Sequence, residues 1–206
     1  VTLLGSSTLY TGSTNAPDTQ GWLAYANVGN ANQTFDATGV TLDTTPLFTP
    51  NSSATYAGYS NFILNPNTGA YTPVNASFPT LDSSTGYSIS FDLEIISDAQ
   101  TNPDRAGFSL IAVSDDPTKA IEIAFQDDKI FAQDDSPLFE EDTTGSNTTA
   151  FTTTNLTEYT LEVANNNYQL FADGSLILEG ALRDYEAFVP TPPVPDPYET
   201  PNFLFF

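Results

Sequence analysis

Asp92 and Glu94 stand two residues apart in the run Ser88-Ile-Ser-Phe-Asp-Leu-Glu94, a spacing that projects both carboxylates from one face of a β-strand. A glycosidase built on a β-sandwich can use such a pair as acid and nucleophile. No third acid extends the pair, because Ile96 and Ser97 follow, and two acids on a polar strand face are ordinarily just solvated. The chain has no His and no Cys, which removes Ser-His-Asp and Cys-His catalysis and the usual zinc sites. The expectation is a protein that is not an enzyme, with glycoside hydrolysis as a distant alternative.

Two further chemistries are open to these residue types. The pairs Asp127-Asp128 and Asp134-Asp135, like Asp115-Asp116, fall near expected strand ends, where calcium could gather oxygens from carboxylates and backbone carbonyls. Calcium is the one cofactor expectation, and none of the spacings is that of an EF-hand loop. Phe131, beside Glu122 and Gln133 on one strand face, offers an aromatic plate with hydrogen-bonding neighbours, a combination that stacks a sugar ring. With Asp92 and Glu94, these residues form the candidate glycan face.

These groups must be held by strands. From Gly86 to Asp135 three runs carry the period of a β-strand: Tyr87, Ile89, Phe91, Leu93 and Ile95 alternate with polar residues, Phe108 to Val113 is apolar on both faces, and Ile121, Ile123 and Phe125 resume the alternation. Taking Asp127-Asp128 as a two-residue loop pairs Phe125 with Ile130 and turns Ile121, Ile123, Phe125, Ile130 and Ala132 toward the core. A second meander follows, at Tyr159–Val163, Tyr168–Ala172 and Leu176–Leu178, with turns at Asn165–Asn167 and Asp173-Gly174. Shorter strands are expected at Gln33–Phe35, Val40–Leu42 and Phe62–Leu64. The lone Trp22 reads as a core anchor. Arg105 and Arg183, each next to an Asp, read as forks that match carboxylates across the sandwich.

The result is one all-β domain over residues 1–206, a two-sheet antiparallel β-sandwich with long loops. Residues 1–30 supply an N-terminal strand and loop, and residues 190–206 a Pro-rich crossover and a terminal apolar strand. Six of the fifteen prolines lie between Pro190 and Pro201, so that stretch cannot be a central strand. The apolar ends, Val1, Leu3 and Leu4 and then Phe203, Leu204, Phe205 and Phe206, must be buried, either in their own sandwich or in another molecule. Strand exchange through these ends would make a filament or coat.

Charge narrows the partners. Twenty-six acidic residues against four basic ones give a formal charge of −22, which repels nucleic acid and anionic lipid. No apolar run reaches the roughly 20 residues that span a bilayer, so no membrane insertion is expected. Copies of itself and extracellular glycans remain. Few Lys, abundant Thr, Ser and Asn, and sequons at Asn32, Asn51, Asn75, Asn147 and Asn155 suit a secreted protein, and a start at Val1 fits a removed signal peptide.

Five segments carry a family resemblance: Asp18-Thr-Gln-Gly-Trp22, Asp104-Arg-Ala-Gly-Phe108, Ala132-Gln-Asp-Asp-Ser-Pro-Leu-Phe139, Leu182-Arg-Asp-Tyr185 and Pro201-Asn-Phe-Leu-Phe205. Together they resemble bacterial, especially cyanobacterial, surface proteins of the choice-of-anchor type, whose domain is similar to the concanavalin A-like (laminin-G-like) jelly roll. That resemblance implies a jelly-roll fold, secretion and surface attachment without established catalysis. The family continues past the Asn-Phe-Leu-Phe segment, whereas this sequence stops at Phe206, which implies a missing or borrowed edge strand. The expectation is a secreted cell-surface structural or adhesive protein that associates with itself; a carbohydrate-binding lectin-like module is the alternative.

Overall fold

The computed structural model describes residues 6–26, 31–45, 56–65, 67–68, 70–99, 102–190 and 196–206. The early part of the chain supplies short strands: β1 (Leu23–Ala26), the hairpin β2 (Asn32–Asp36) and β3 (Gly39–Asp43), β4 (Ala57–Ser60), and the hairpin β5 (Phe62–Leu64) and β6 (Tyr71–Pro73). The longer strands are β7 (Tyr87–Leu93), β8 (Phe108–Val113), β9 (Ala120–Phe125) and β10 (Lys129–Asp135). Then come β11 (Leu138–Glu141), β12 (Thr148–Ala150), β13 (Thr157–Ala164), β14 (Asn167–Ala172), β15 (Ser175–Ala181) and β16 (Leu204–Phe205).

Two antiparallel sheets face one another as a β-sandwich of jelly-roll-like form. The larger runs β1-β4-β16-β8-β9-β10-β11, with β12 also paired to β10, and the smaller runs β15-β14-β13-β7. Ile121, Ile123, Phe125, Ile130 and Ala132 of the larger sheet meet Tyr159, Leu161, Val163, Leu170 and Leu178 of the smaller one, all but fully buried. Phe125 packs edge-on to Tyr159, with ring centroids 5.1 Å apart. Removing side chains of this size from water is the main term holding the sheets together. Trp22 is 4% exposed and its indole N–H donates to the Leu9 carbonyl at 3.1 Å, so it is the expected core anchor.

Turn chemistry sets the register. Phe125 pairs with Ile130 across the Asp127-Asp128 turn, as the alternation predicts. Asn165 and Asn166 both take positive φ (53° and 60°), as do Asp173 and Gly174 (47° and 74°), giving two-residue hairpin loops that match the twist of β13–β14 and β14–β15.

The C-terminal segment lies inside the molecule's own sheet. Leu204 pairs with Ala112 and Phe205 with Ile111 on β8, while Phe205 also pairs with Ser60 on β4. Phe203 and Leu204 are buried. Of the two fates open to this apolar tail, burial in its own sandwich is the one this structure shows, with Phe203 and Leu204 buried and Phe205 and Phe206 half-buried. Gly58 shows how tightly the strand fits, since a Cβ there would stand 2.3 Å from the Phe206 carbonyl oxygen. Val1, Leu3 and Leu4, the other half of the self-association expectation, lie outside the described residues.

Candidate functional site

The two outer faces of the sandwich have opposite characters. On the larger sheet, Glu122, Ala124, Phe131 and Gln133 point away from the core yet are 9%, 0%, 0% and 2% exposed. A second apolar layer roofs part of this face: Tyr185, Tyr198 and Phe203 are buried there with Phe139 and Phe188 against them. The chain reaches the roof after β15, where Arg183 and Ala120 exchange backbone hydrogen bonds at 2.8 Å. Asp196-Pro197 then opens a single 3₁₀ turn, with Asp196 Oδ1 accepting from the Tyr198 N–H at 2.8 Å, and this aims Tyr198 down at the sheet.

Under the roof lies a polar network. The Tyr198 hydroxyl donates to Glu122 Oε2. The Tyr185 hydroxyl donates to the Gln133 carbonyl at 2.8 Å and accepts from the Glu122 N–H at 3.2 Å. Arg183 Nη1 donates to the same Gln133 carbonyl at 2.5 Å, and Nη2 pairs with Asp142 Oδ2 at 2.5 Å. Burial pushes the Glu122 carboxyl above its ordinary range, with the hydrogen bond from Tyr198 opposing it. Burial also raises the Tyr198 hydroxyl, and the neighbouring Glu122 carboxyl adds to this. Asp142 behaves oppositely: burial raises it, but hydrogen bonds from Thr144 and the Arg183 guanidinium outweigh that and hold it low. The network suits fastening a strap to a sheet.

This placement corrects the glycan face read from sequence. Glu122, Phe131 and Gln133 are under cover, and Phe131 is further screened by the Lys129 ammonium, 4.8 Å from its ring centroid. Asp92, on β7 in the other sheet, and Glu94, just past the end of that strand, are exposed, so the five residues do not share one face of the sandwich. Alternation gave the correct core side for β7, β9 and β10; it could not say that β7 leaves the sheet containing β8–β10.

The calcium residues are likewise separated. Asp127 and Asp128 form the turn before β10, and Asp134 and Asp135 lie at its far end, about 20 Å away at the usual rise per residue. Asp134 Oδ1 accepts from the N–H groups of Asp135 and Ser136, and Asp135 Oδ2 from the Asp184 N–H at 3.0 Å. Among the described residues no group of three or more acids, His or Cys converges as a metal site. Arg183 pairs with a carboxylate, Asp142, but through Nη2 alone, since Nη1 goes to the Gln133 carbonyl, so the expected carboxylate-matching fork is not formed; Arg105 is exposed on the loop before β8.

The outer face of the smaller sheet is open. Register places Ser88, Ser90 and Asp92 of β7 beside Glu162, Thr160 and Glu158 of β13, and then Gln169 and Phe171 of β14. Leu156 and Ile96 are 68% and 70% exposed at one end of this face, and Leu176 is 45% exposed on β15. A shallow groove of about 360 Å³ lies among Glu162, Ala164, Asn167, Gln169 and Glu179. Sequence reading missed both Tyr198 and this second face. An Asp-Pro pair ahead of an isolated Tyr in a Pro-rich stretch was the signal for the first.

Fold and faces together define a two-sheet β-sandwich with one roofed and one bare outer face. No protein-family model matches the chain, and no curated protein does. Among solved structures, a carbohydrate esterase from the Shiga toxin-encoding bacteriophage phi24B is similar with a TM-score of 0.49 and 14% identity, over 98% of this chain and 89% of that one.

Proposed function

We propose that this chain is an extracellular structural and adhesive β-sandwich whose copies associate with one another. The observation that carries the reading is the asymmetry of the sandwich. Part of the larger sheet is roofed by Tyr185, Phe188, Tyr198 and Phe203, while the smaller sheet presents a bare face on which Ile96, Leu156 and Leu176 sit exposed among acids. Isolated exposed apolar residues are common, but a pair 68% and 70% exposed on one sheet face is a surface suited to contact with another molecule. The acidic remainder keeps single copies soluble and turns away nucleic acid and anionic lipid.

Light scattering on the purified chain tests this reading. Self-association that rises with protein concentration supports it, and a monomer at all concentrations and salt levels contradicts it. Carbohydrate recognition is the second reading. It is favoured by the groove on the open face, where Gln169 Nε2 donates to Glu179 Oε2 at 3.1 Å and leaves further donors and acceptors to a neutral sugar. A glycan array with no hit, or hits unchanged by Gln169→Ala, removes it.

A further inference from the structure

The edges of the two sheets are not equally protected. β1 has four residues, and β11 also has four, two of them Glu, beside a register shift in β10. β15 carries a register shift against β14 and is covered by the loop before β12, where the Glu179 N–H donates to the Ser146 carbonyl at 3.2 Å. Such shortening, charge, bulging and covering are the ordinary means of blunting a sheet edge. β7 is blunted least: Asp92 is its one charge. It pairs with β13 over seven consecutive residues without a shift, contains no Pro, Lys or Arg, and among the described residues nothing pairs with its other side.

The backbone polarity of that edge follows from the register. The Asp173 N–H donates to the Glu158 carbonyl at 2.9 Å, so Glu158 turns its backbone groups toward β14. Alternation then turns Tyr159, Leu161 and Val163 toward β7, onto Phe91, Ile89 and Tyr87. Ser88, Ser90 and Asp92 therefore direct their N–H and C=O groups outward, away from β13. The side chains on the core face of β7 are equally unfinished. Tyr87, Ile89, Phe91 and Leu93 are all half-buried, whereas Tyr159, Leu161 and Val163 one strand further in are at most 1% exposed.

We infer that β7 pairs antiparallel with β7 of a second copy, about a two-fold axis at Ser90. In this register Ser90 faces Ser90, Ser88 of one copy faces Asp92 of the other, and Ile89 faces Phe91. The outward groups of Ser88, Ser90 and Asp92 then form about six N–H···O bonds across the junction. The two four-stranded sheets become one continuous sheet, and Tyr87, Ile89, Phe91 and Leu93 gain the cover they lack. Charge excludes one neighbouring register, because sliding the axis to Asp92 would set two carboxylates directly opposite one another, a destabilising arrangement. The formal charge of −22 on each copy opposes the approach, so association strengthens with salt as the screening length falls from about 10 Å at 0.1 M to about 3 Å at 1 M.

This inference rests on the self-association proposed above and adds its geometry. The chain has no cysteine, so Ser90→Cys introduces one thiol whose only protein disulfide is intermolecular. A directly opposed antiparallel pair has Cα atoms about 4.5–5.5 Å apart, within disulfide reach. Mild oxidation should convert Ser90→Cys to a covalent dimer at 0.5 M NaCl, while Ser175→Cys on β15 stays monomeric. Ser90→Lys sets two ammonium groups face to face and should lower association at least tenfold without changing the fold. Ser90→Pro removes an outward N–H and should do the same. If Ser90→Pro fails to fold, Ser90→Lys and the cross-link decide alone. A wild-type oligomer that persists in Ser90→Lys and gives no cross-link at position 90 overturns the β7 pairing and leaves self-association standing. A wild-type monomer at every salt concentration overturns both.

Discussion

Replacing Glu122 with Gln should make the protein more stable at neutral pH and remove one component of its pH dependence. The carboxyl is buried at the centre of the larger sheet, beneath Tyr198, and burial raises its pKa in the fold above the ordinary 4.5. An acid whose folded pKa is raised holds its proton more tightly when folded than when unfolded. Its contribution is therefore complete below about pH 4.5 and is lost as pH rises through the folded value. Within that window the wild type loses about 1.4 kcal/mol per pH unit relative to a neutral isostere. For a chain of this size that is roughly 3–5 °C of melting temperature per unit. The assay is thermal unfolding of wild type and Glu122→Gln side by side from pH 4 to pH 8. The difference between the two cancels the titration of the other acids, because they are common to both. The gap should open in favour of Glu122→Gln as pH rises. Tyr198→Phe should cost about 1–3 kcal/mol at every pH by taking away the donor to a buried oxygen. A gap between wild type and Glu122→Gln that is constant over this range would refute the account of Glu122 as a carboxyl whose pKa is raised by burial beneath Tyr198.

Two other perturbations report on the same architecture. Arg183→Ala leaves the Asp142 carboxylate buried without its partner and should cost about 3–5 kcal/mol, seen as a fall of roughly 10 °C or more in thermal unfolding; joint replacement by Arg183→Met and Asp142→Leu should recover much of it. Deletion of residues 202–206 withdraws β16 from between β4 and β8, so circular dichroism should show loss of the fold itself, where a merely exchanged tail would leave an intact monomer.

Local patterns in the sequence determined most of the longer strands and the core side of β7, β9 and β10. Ile89, Phe91, Ile121, Ile123, Phe125 and Ile130 face the interior as their period-two spacing requires, because a strand's side chains alternate whatever sheet it joins. The hairpins at Asp127-Asp128, Asn165-Asn166 and Asp173-Gly174 were legible for the same reason, since turn residues act over two or three positions. β1, β4, β6, β11 and β12 were not, being three or four residues long and too short for a period to show.

Alternation also says nothing about what covers the opposite face of a strand. The spacing that grouped Asp92 and Glu94 with Glu122, Phe131 and Gln133 was correct for each strand and misleading for the set. Sheet membership depends on contacts between residues far apart in the chain, and here it sends β7 to the smaller sheet. The fate of the apolar C-terminus was undecided for the same reason: an apolar tail must be buried, but only the gap between β4 and β8 selects where. Composition fixed the acidity, the absence of thiol and imidazole chemistry and the β character. Tertiary structure decided that Tyr185, Tyr198 and Phe203 roof part of one face and leave the other open, because apolar side chains from segments that cannot complete a ladder come to rest where a sheet can bury them.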